Sequence, residues 1–171
     1  MPIYFYEIGE KPYGCFSNFS RHAFELDGSW WPTSEHYFQA QKFVGTSYED
    51  EIRQARTPED AATLGRSHMH PLRSDWEDVK DQVMLRGVLR KFETHADIRT
   101  ILLATGDVEI VENAPRDYYW GCGSDGSGQN KLGQILMTVR TLLRDRMDQK
   151  DEMLTENERK LDDGEQSSDV A

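Results

Sequence analysis

Helix-start signals recur along this chain from residue 33 onward, and they constrain the fold more than any other feature. Pro32 stops an extended segment, and Thr33 or Ser34 can then cap the helix SEHYFQAQKFVG. Thr57-Pro58-Glu59-Asp60 combines a cap, a first-turn proline and first-turn acids, which predicts a helix towards Gly65. Ser74-Asp75-Trp76-Glu77 has the form of a capping box for DWEDVKDQVMLRGVLRKF, whose Val79, Val83, Val88 and Phe92 fall on one helical stripe. Further helices are predicted over Tyr48–Arg56, over Ala96–Ala104 before Gly106, and from Asn130 through NKLGQILMTVRTLLRDRM, with Leu132, Ile135, Leu136, Val139 and Leu143 inward.

Strand signals are few. PIYFYEI alternates, and His22–Leu26 meets Trp30–Trp31 across Asp27-Gly28, a strong hairpin turn. Asp107–Glu112 reads as one lone strand. The expected class is α+β, mainly α-helical, with a small N-terminal β-hairpin region. At 171 residues the chain suits one domain, placed at 1–147, and the acidic stretch 148–171 is expected to be a disordered tail.

Charge narrows the partners. The net charge is −11, of which residues 145–171 carry −6 and the body −5. An acidic body does not suit binding driven by neutralising a phosphate backbone, although a small anion held by placed groups remains compatible. One stretch runs the other way: Arg53–Lys91 holds eight basic and six acidic residues, which is either a local path for a polyanion or an ordinary mixed helical surface. No apolar run is long enough for a membrane span, and the opening segment lacks the basic head and apolar stretch of a secretory signal. Cys15 and Cys122 are expected to be free thiols in a reducing cytoplasm.

Several constellations can carry chemistry. Gly121, Gly123 and Gly126 form G-x-G-x-x-G, but no strand directly precedes them and no βαβ unit follows, so dinucleotide binding of the Rossmann type fails on context. A glycine loop feeding the helix start at Asn130 remains a candidate phosphate cradle, against the plainer reading of a loop that merely turns. His68 and His70 have no third ligand near them, so no metal is expected. Glu35, Gln39 and Lys42 lie on one helical stripe, with Lys42 about 10 Å along the axis from Glu35. That stripe faces water or lines a polar cavity, and periodicity alone favours water. Trp30, Trp31 and Pro32 precede Glu35, where an acid can be desolvated. Asp117-Tyr118-Tyr119-Trp120 places three aromatics in a loop, either as a core plug or as a stacking wall. Arg73, Trp76 and Lys80 set a tryptophan beside two cations.

Taken in order, FSNF (with Asn18), WPTSEHYFQAQKF, RSDWEDVK, TGDVEIVENAPRDYYWGCG and GQNKLGQILMTVR resemble the NADAR or YbiA-like family over essentially residues 3 to 144. The resemblance implies a mainly helical α+β domain that cleaves N-glycosidic bonds between ribose and an amino group. Two substrate classes are implied: ribosylamino-pyrimidine phosphates of riboflavin biosynthesis, and ADP-ribose on guanine in nucleotides or nucleic acid. A non-catalytic ADP-ribose-binding module is the third reading. The family's functional positions fall on Glu35, Trp76, Asp117 and Trp120, all with the expected residue type. In the mechanism built on them, Glu35 transfers protons, Asp117 orients water or ribose hydroxyls, and Trp76 and Trp120 stack on the ligand. Lys42 offers a Schiff-base route. Gly121, Asn130, Arg73 and Lys80 are expected to hold phosphate. No cofactor or metal is required by either route, and the sequence leaves protein partners unknown.

Overall fold

The computed structural model describes residues 1–165 of the chain. Strand β1 (Ile3–Phe5) leads through a 3₁₀ turn (Tyr13–Phe16) to the hairpin of β2 (Phe24–Leu26) and β3 (Ser29–Trp31). Helices α1 (Ser34–Gln41), α2 (Ser47–Arg53), α3 (Pro58–Gly65), α4 (Trp76–Thr94) and α5 (Ala96–Ala104) follow, then β4 (Ile110–Glu112) and α6 (Lys131–Glu165). The hairpin turns at Asp27 and Gly28, both with positive φ (54° and 77°), which is the turn that this dipeptide accepts most readily.

Local chemistry sets two of the helix starts directly. Thr33 Oγ1 accepts from the His36 N–H (3.3 Å) and Thr57 Oγ1 from that of Asp60 (3.0 Å), so both predicted caps form. The capping box before α4 does not form. Arg73 takes both carboxylate oxygens of Asp75 (2.6 and 2.9 Å), and no side chain caps the first turn.

Helix α1 is the centre of the molecule. Every residue from Ser34 to Gln41 is buried, with α2, α3 and α4 packed around it. Tyr37 meets Phe24 and Trp31 edge-on (6.2 and 5.3 Å), and Gly87 of α4 lets that ring approach so closely that a Cβ would lie 2.6 Å from Tyr37 Cδ1. Fully buried side chains such as Trp31, Tyr37, Phe24 and Phe92 each contribute about 1.5–3 kcal/mol.

Two features depart from the sequence expectation. Strand β4 is not alone: it pairs in parallel with β1, Ile3 opposite Ile110 and Phe5 opposite Glu112. Residues 166–171 lie outside the described residues, and within the acidic stretch expected to be a disordered tail α6 continues as helix through Glu165. Its Glu, Lys, Arg and Met residues propagate a helix already nucleated in the core, and pairs such as Lys160–Glu156 (2.8 Å) add to it.

Candidate active site

A cavity of about 600 Å³ opens between α1, α3, the loop after β1 and the end of β4. Glu35, Gln39 and Lys42 line it, so the polar stripe of α1 faces a cavity and not bulk water. Asn18, Asp117 and Trp120 also line it. Five of the ten expected site residues therefore converge on one space: Asn18, Glu35, Lys42, Asp117 and Trp120.

Each is held from behind. Asn18 fixes the start of α1: its carbonyl accepts from the Glu35 N–H (3.1 Å), and its Oδ1 accepts from Ser34 Oγ (2.9 Å). Glu35 Oε1 accepts from Gln39 Nε2 at 2.7 Å, one turn along. Burial drives the Glu35 carboxyl above its ordinary value, against the opposing pull of Gln39, Arg66 and Lys42. Trp30 is not the cause, because it is 57% exposed. Lys42 Nζ donates to the Gly65 carbonyl (3.2 Å) and stands over the rings of Phe38 and Trp76 (5.7 and 5.8 Å). Burial lowers its pKa, which moves the amine towards its neutral, nucleophilic form. Asp117 Oδ1 accepts from the N–H groups of Tyr119 (2.9 Å) and Trp120 (2.7 Å), so the acid and the indole are set by one turn of backbone. Trp120 packs edge-on to Phe38 at 5.2 Å.

The other five expected residues lie elsewhere. Trp76 is buried one layer behind the wall, against Phe38 at 5.1 Å. Arg73 is paired with Asp75, and Lys80 with Glu77 (2.5 Å) over the Tyr119 ring (4.1 Å). Asn130 serves the sheet: its Oδ1 accepts from the Glu112 N–H (2.9 Å) and its Nδ2 donates to the Ile110 carbonyl (2.9 Å). The phosphate cradle expected at Gly121 and Asn130 is not open. The N–H groups of Asn130, Lys131 and Leu132 donate to the carbonyls of Gly121, Tyr119 and Trp120 at 3.0 Å each, so the start of α6 is already satisfied. Gly121 is there for packing, since a Cβ would lie 2.7 Å from that of Ala114.

Three lining residues were not singled out from sequence or were not ranked there. Glu112 ends β4, where strand alternation gives no sign of a site. Arg66 follows α3, within a charged segment that offers no pattern. Gln39 carries the clearest ligand signal, because its Oε1 is, among the described residues, the buried side-chain polar atom without a partner. Such an orphan costs about 1–3 kcal/mol and is relieved by a donor from a bound molecule.

The family model for the NADAR domain matches residues 4–144. The chain belongs to the NADAR family. An N-glycosidase of Nostoc punctiforme (Npun_R5314) is 53% identical to this NADAR chain over 147 residues, 84% of this chain and 94% of that protein. N-glycosidase YbiA of Escherichia coli K12 is 49% identical over 141 residues, covering 82% and 88%. The solved NMR structure of E. coli YbiA superposes with a TM-score of 0.80 at 47% identity, over 86% of this NADAR chain and 87% of that one. A longer protein named riboflavin biosynthesis protein VVA0006, from Vibrio vulnificus, is 41% identical over 144 residues, which are 84% of this chain but 39% of its own length. The mainly helical α+β fold of the NADAR family is thus the fold of this chain.

Proposed function

We propose that this NADAR protein is an N-glycosidase that hydrolyses the bond between ribose and the amino group of ribosylamino-pyrimidine phosphates. The observation that carries this reading is the convergence of Glu35, Lys42, Asp117 and Trp120 on one cavity of about 600 Å³, which suits a ligand of mononucleotide size. Names borne by relatives, N-glycosidase and riboflavin biosynthesis protein, support the same chemistry.

Cleavage must stabilise positive charge at the anomeric carbon and return a proton to the departing amine. Asp117 orients water or the ribose hydroxyls and balances that charge, while Trp120 and Phe38 form the apolar wall for the base. Glu35 moves the proton on the sugar side. Lys42, made less basic by burial, can take the ring-opened ribosylamine as a Schiff base, with Glu35 seven residues away on the same helix face. Trp76 positions Phe38 and Lys42 from behind. Arg66, which lines the cavity and forms no ion pair among the described residues, takes the phosphate in place of Arg73 and Lys80. Free Cys15 and Cys122 support a reducing, cytoplasmic setting.

The alternative of ADP-ribose removal from guanine shares this chemistry, but the basic stretch Arg53–Lys91 gives it little support. Arg53, Arg73, Lys80, Arg86 and Arg90 are paired with acids, and Lys91 is buried, so no broad cationic path forms there. The deciding experiment sets a ribosylamino-pyrimidine phosphate beside guanine-linked ADP-ribose, free and in an oligonucleotide, with Glu35→Ala and Asp117→Asn as controls. Ribose phosphate release from the first substrate, reduced about 10²-fold or more in both variants, is expected. Turnover of the second alone overturns the substrate assignment. ADP-ribose binding without turnover of either would make the protein a reader, and near-native turnover by Asp117→Asn would remove that residue from the mechanism.

A further inference from the structure

Glu112 is a further carboxyl in the cavity, and neither the sequence motifs nor the mechanism above gives it work. It ends β4, opposite Phe5 in the register, and shares the inward face of the strand with the fully buried Ile110. Its backbone is fixed on both sides, the N–H donating to Asn130 Oδ1 (2.9 Å) and the carbonyl accepting from the Cys122 N–H (2.9 Å). The carboxyl itself makes no hydrogen bond or ion pair among the described residues, yet it lines the same cavity as Glu35 and Asp117. An inward strand position beside Ile110 would be more stable with an apolar residue. A rigidly mounted, unpartnered acid there is a departure from local stability of the kind that marks functional positions.

Resting on the N-glycosidase reading, we infer that Glu112 is a catalytic residue, the acid that protonates the departing amine. In the step, the C1′–N bond breaks and its electron pair stays on nitrogen. The Glu112 proton forms the new N–H bond, so the amine leaves neutral. Water forms the new C1′–O bond and gives its proton to Asp117, and exchange with solvent restores both carboxyls. In the Lys42 route the same proton reaches the nitrogen when the lysine amine displaces it from C1′, and water then adds to C1′, breaks the bond to Lys42 and releases the ribose phosphate with the lysine amine restored. Glu35 then serves the sugar side alone.

The electrostatics agree with this assignment. Burial, then the neighbouring charges of Asp117 and Glu35, push Glu112 up to about 8, which keeps its proton in place at neutral pH. The groups that share its cavity are Glu35 and Lys42 from α1, Glu59 and Arg66 from α3, Asp117 from the loop after β4, and Tyr6 and Glu7 from the loop after β1. Loss of the proton at higher pH removes the acid, so activity falls on the alkaline side.

The test compares the native protein with Glu112→Gln and Glu112→Asp on whichever of the two substrates the native protein hydrolyses. Glu112→Gln should lower kcat about 10²-fold with little change in KM, keep or raise Tm, and lose the alkaline limb near pH 8. Glu112→Asp should retain that limb and recover part of kcat. Turnover of Glu112→Gln within a few-fold of native, or an alkaline limb that stays in place, overturns the inference, and so does a Glu112→Asp no better than Glu112→Gln. If the native protein hydrolyses neither substrate, the N-glycosidase reading fails by itself. Glu112 is then judged by carboxyl carbon-13 titration with ribose 5-phosphate. A carboxyl titrating near 8, missing in Glu112→Gln and shifted by the added sugar phosphate, supports a proton held at the ligand site. Absence of that signal, or of its response, overturns it.

Discussion

Arg66 and Asn130 show how much a residue's role depends on what lies beside it. Asn130 stands at a helix start behind four glycines, where sequence reasoning expects an anion, but its side-chain amide is taken by Ile110 and Glu112 at the two ends of β4. Arg66 stands in an undistinguished charged segment, yet as the residue that closes α3 it lines the cavity, next to the Gly65 carbonyl on which Lys42 docks. Glu35 and Lys42 were legible as a pair, because seven residues at 100° each return to the same face. Their inward orientation was not legible, because the cavity is closed by β4 and α3, which lie far from α1 in sequence. If Arg66 holds phosphate, Arg66→Ala should raise KM about tenfold for the phosphorylated substrate and leave the dephosphorylated one within about twofold, as expected for one charge-assisted contact. Equal effects on both substrates would remove the phosphate role.

At the scale of elements, helix existence was readable from caps and periodicity, and the buried faces of α4 and α6 follow the predicted stripes at Val83, Val88, Phe92, Leu132, Leu136 and Val139. The attachment of α4 to the N-terminal loop was not readable. Lys91, 1% exposed, donates to the carbonyls of Cys15 (2.6 Å) and Ser17 (2.9 Å), and so ties α4 to the segment that carries Asn18 into the cavity. A lysine on a core face contradicts the usual pattern, and the two carbonyls it meets explain it: each also accepts from Ser20, that of Cys15 from its Oγ (3.2 Å) and that of Ser17 from its N–H (3.1 Å), and Lys91 supplies the second donor to both. Burial lowers its pKa from 10.5 to about 7. The unfolded chain therefore binds a proton there that the folded chain does not, between about pH 7 and 10.5, and the fold gains stability as pH rises through that window. Urea unfolding at pH 7 and pH 9 should show this gain in the native protein, and Lys91→Met should reduce it. Parallel pH dependence in the two would mean that Lys91 stays charged in the fold.

For the whole molecule, the ordered motifs were enough to anticipate the NADAR family, whose model matches residues 4–144, and an acidic stretch follows it. The extension forms helix through Glu165, but its core contacts end early: Leu143 is buried, whereas Met147, Met153 and Leu154 are 50%, 66% and 52% exposed. Removing the residues after Lys150 should leave kcat/KM unchanged and lower stability by less than about 1 kcal/mol, measured by turnover and urea midpoint on the shortened chain. Loss of activity would assign the extension a part in the site. Sequence by itself determined what is local. Caps and periods placed the helices, Asp27-Gly28 made the hairpin, and the ordered motifs identified the family. Tertiary structure decided what is remote in the chain. It paired β1 with β4, turned the polar stripe of α1 into a cavity wall, spent Asn130 and the glycine loop on packing, and set Glu112 unpartnered beside Glu35 and Asp117. The reason is physical: backbone preference acts over a few residues, whereas desolvation and the pairing of buried polar groups are fixed only when distant segments close around them.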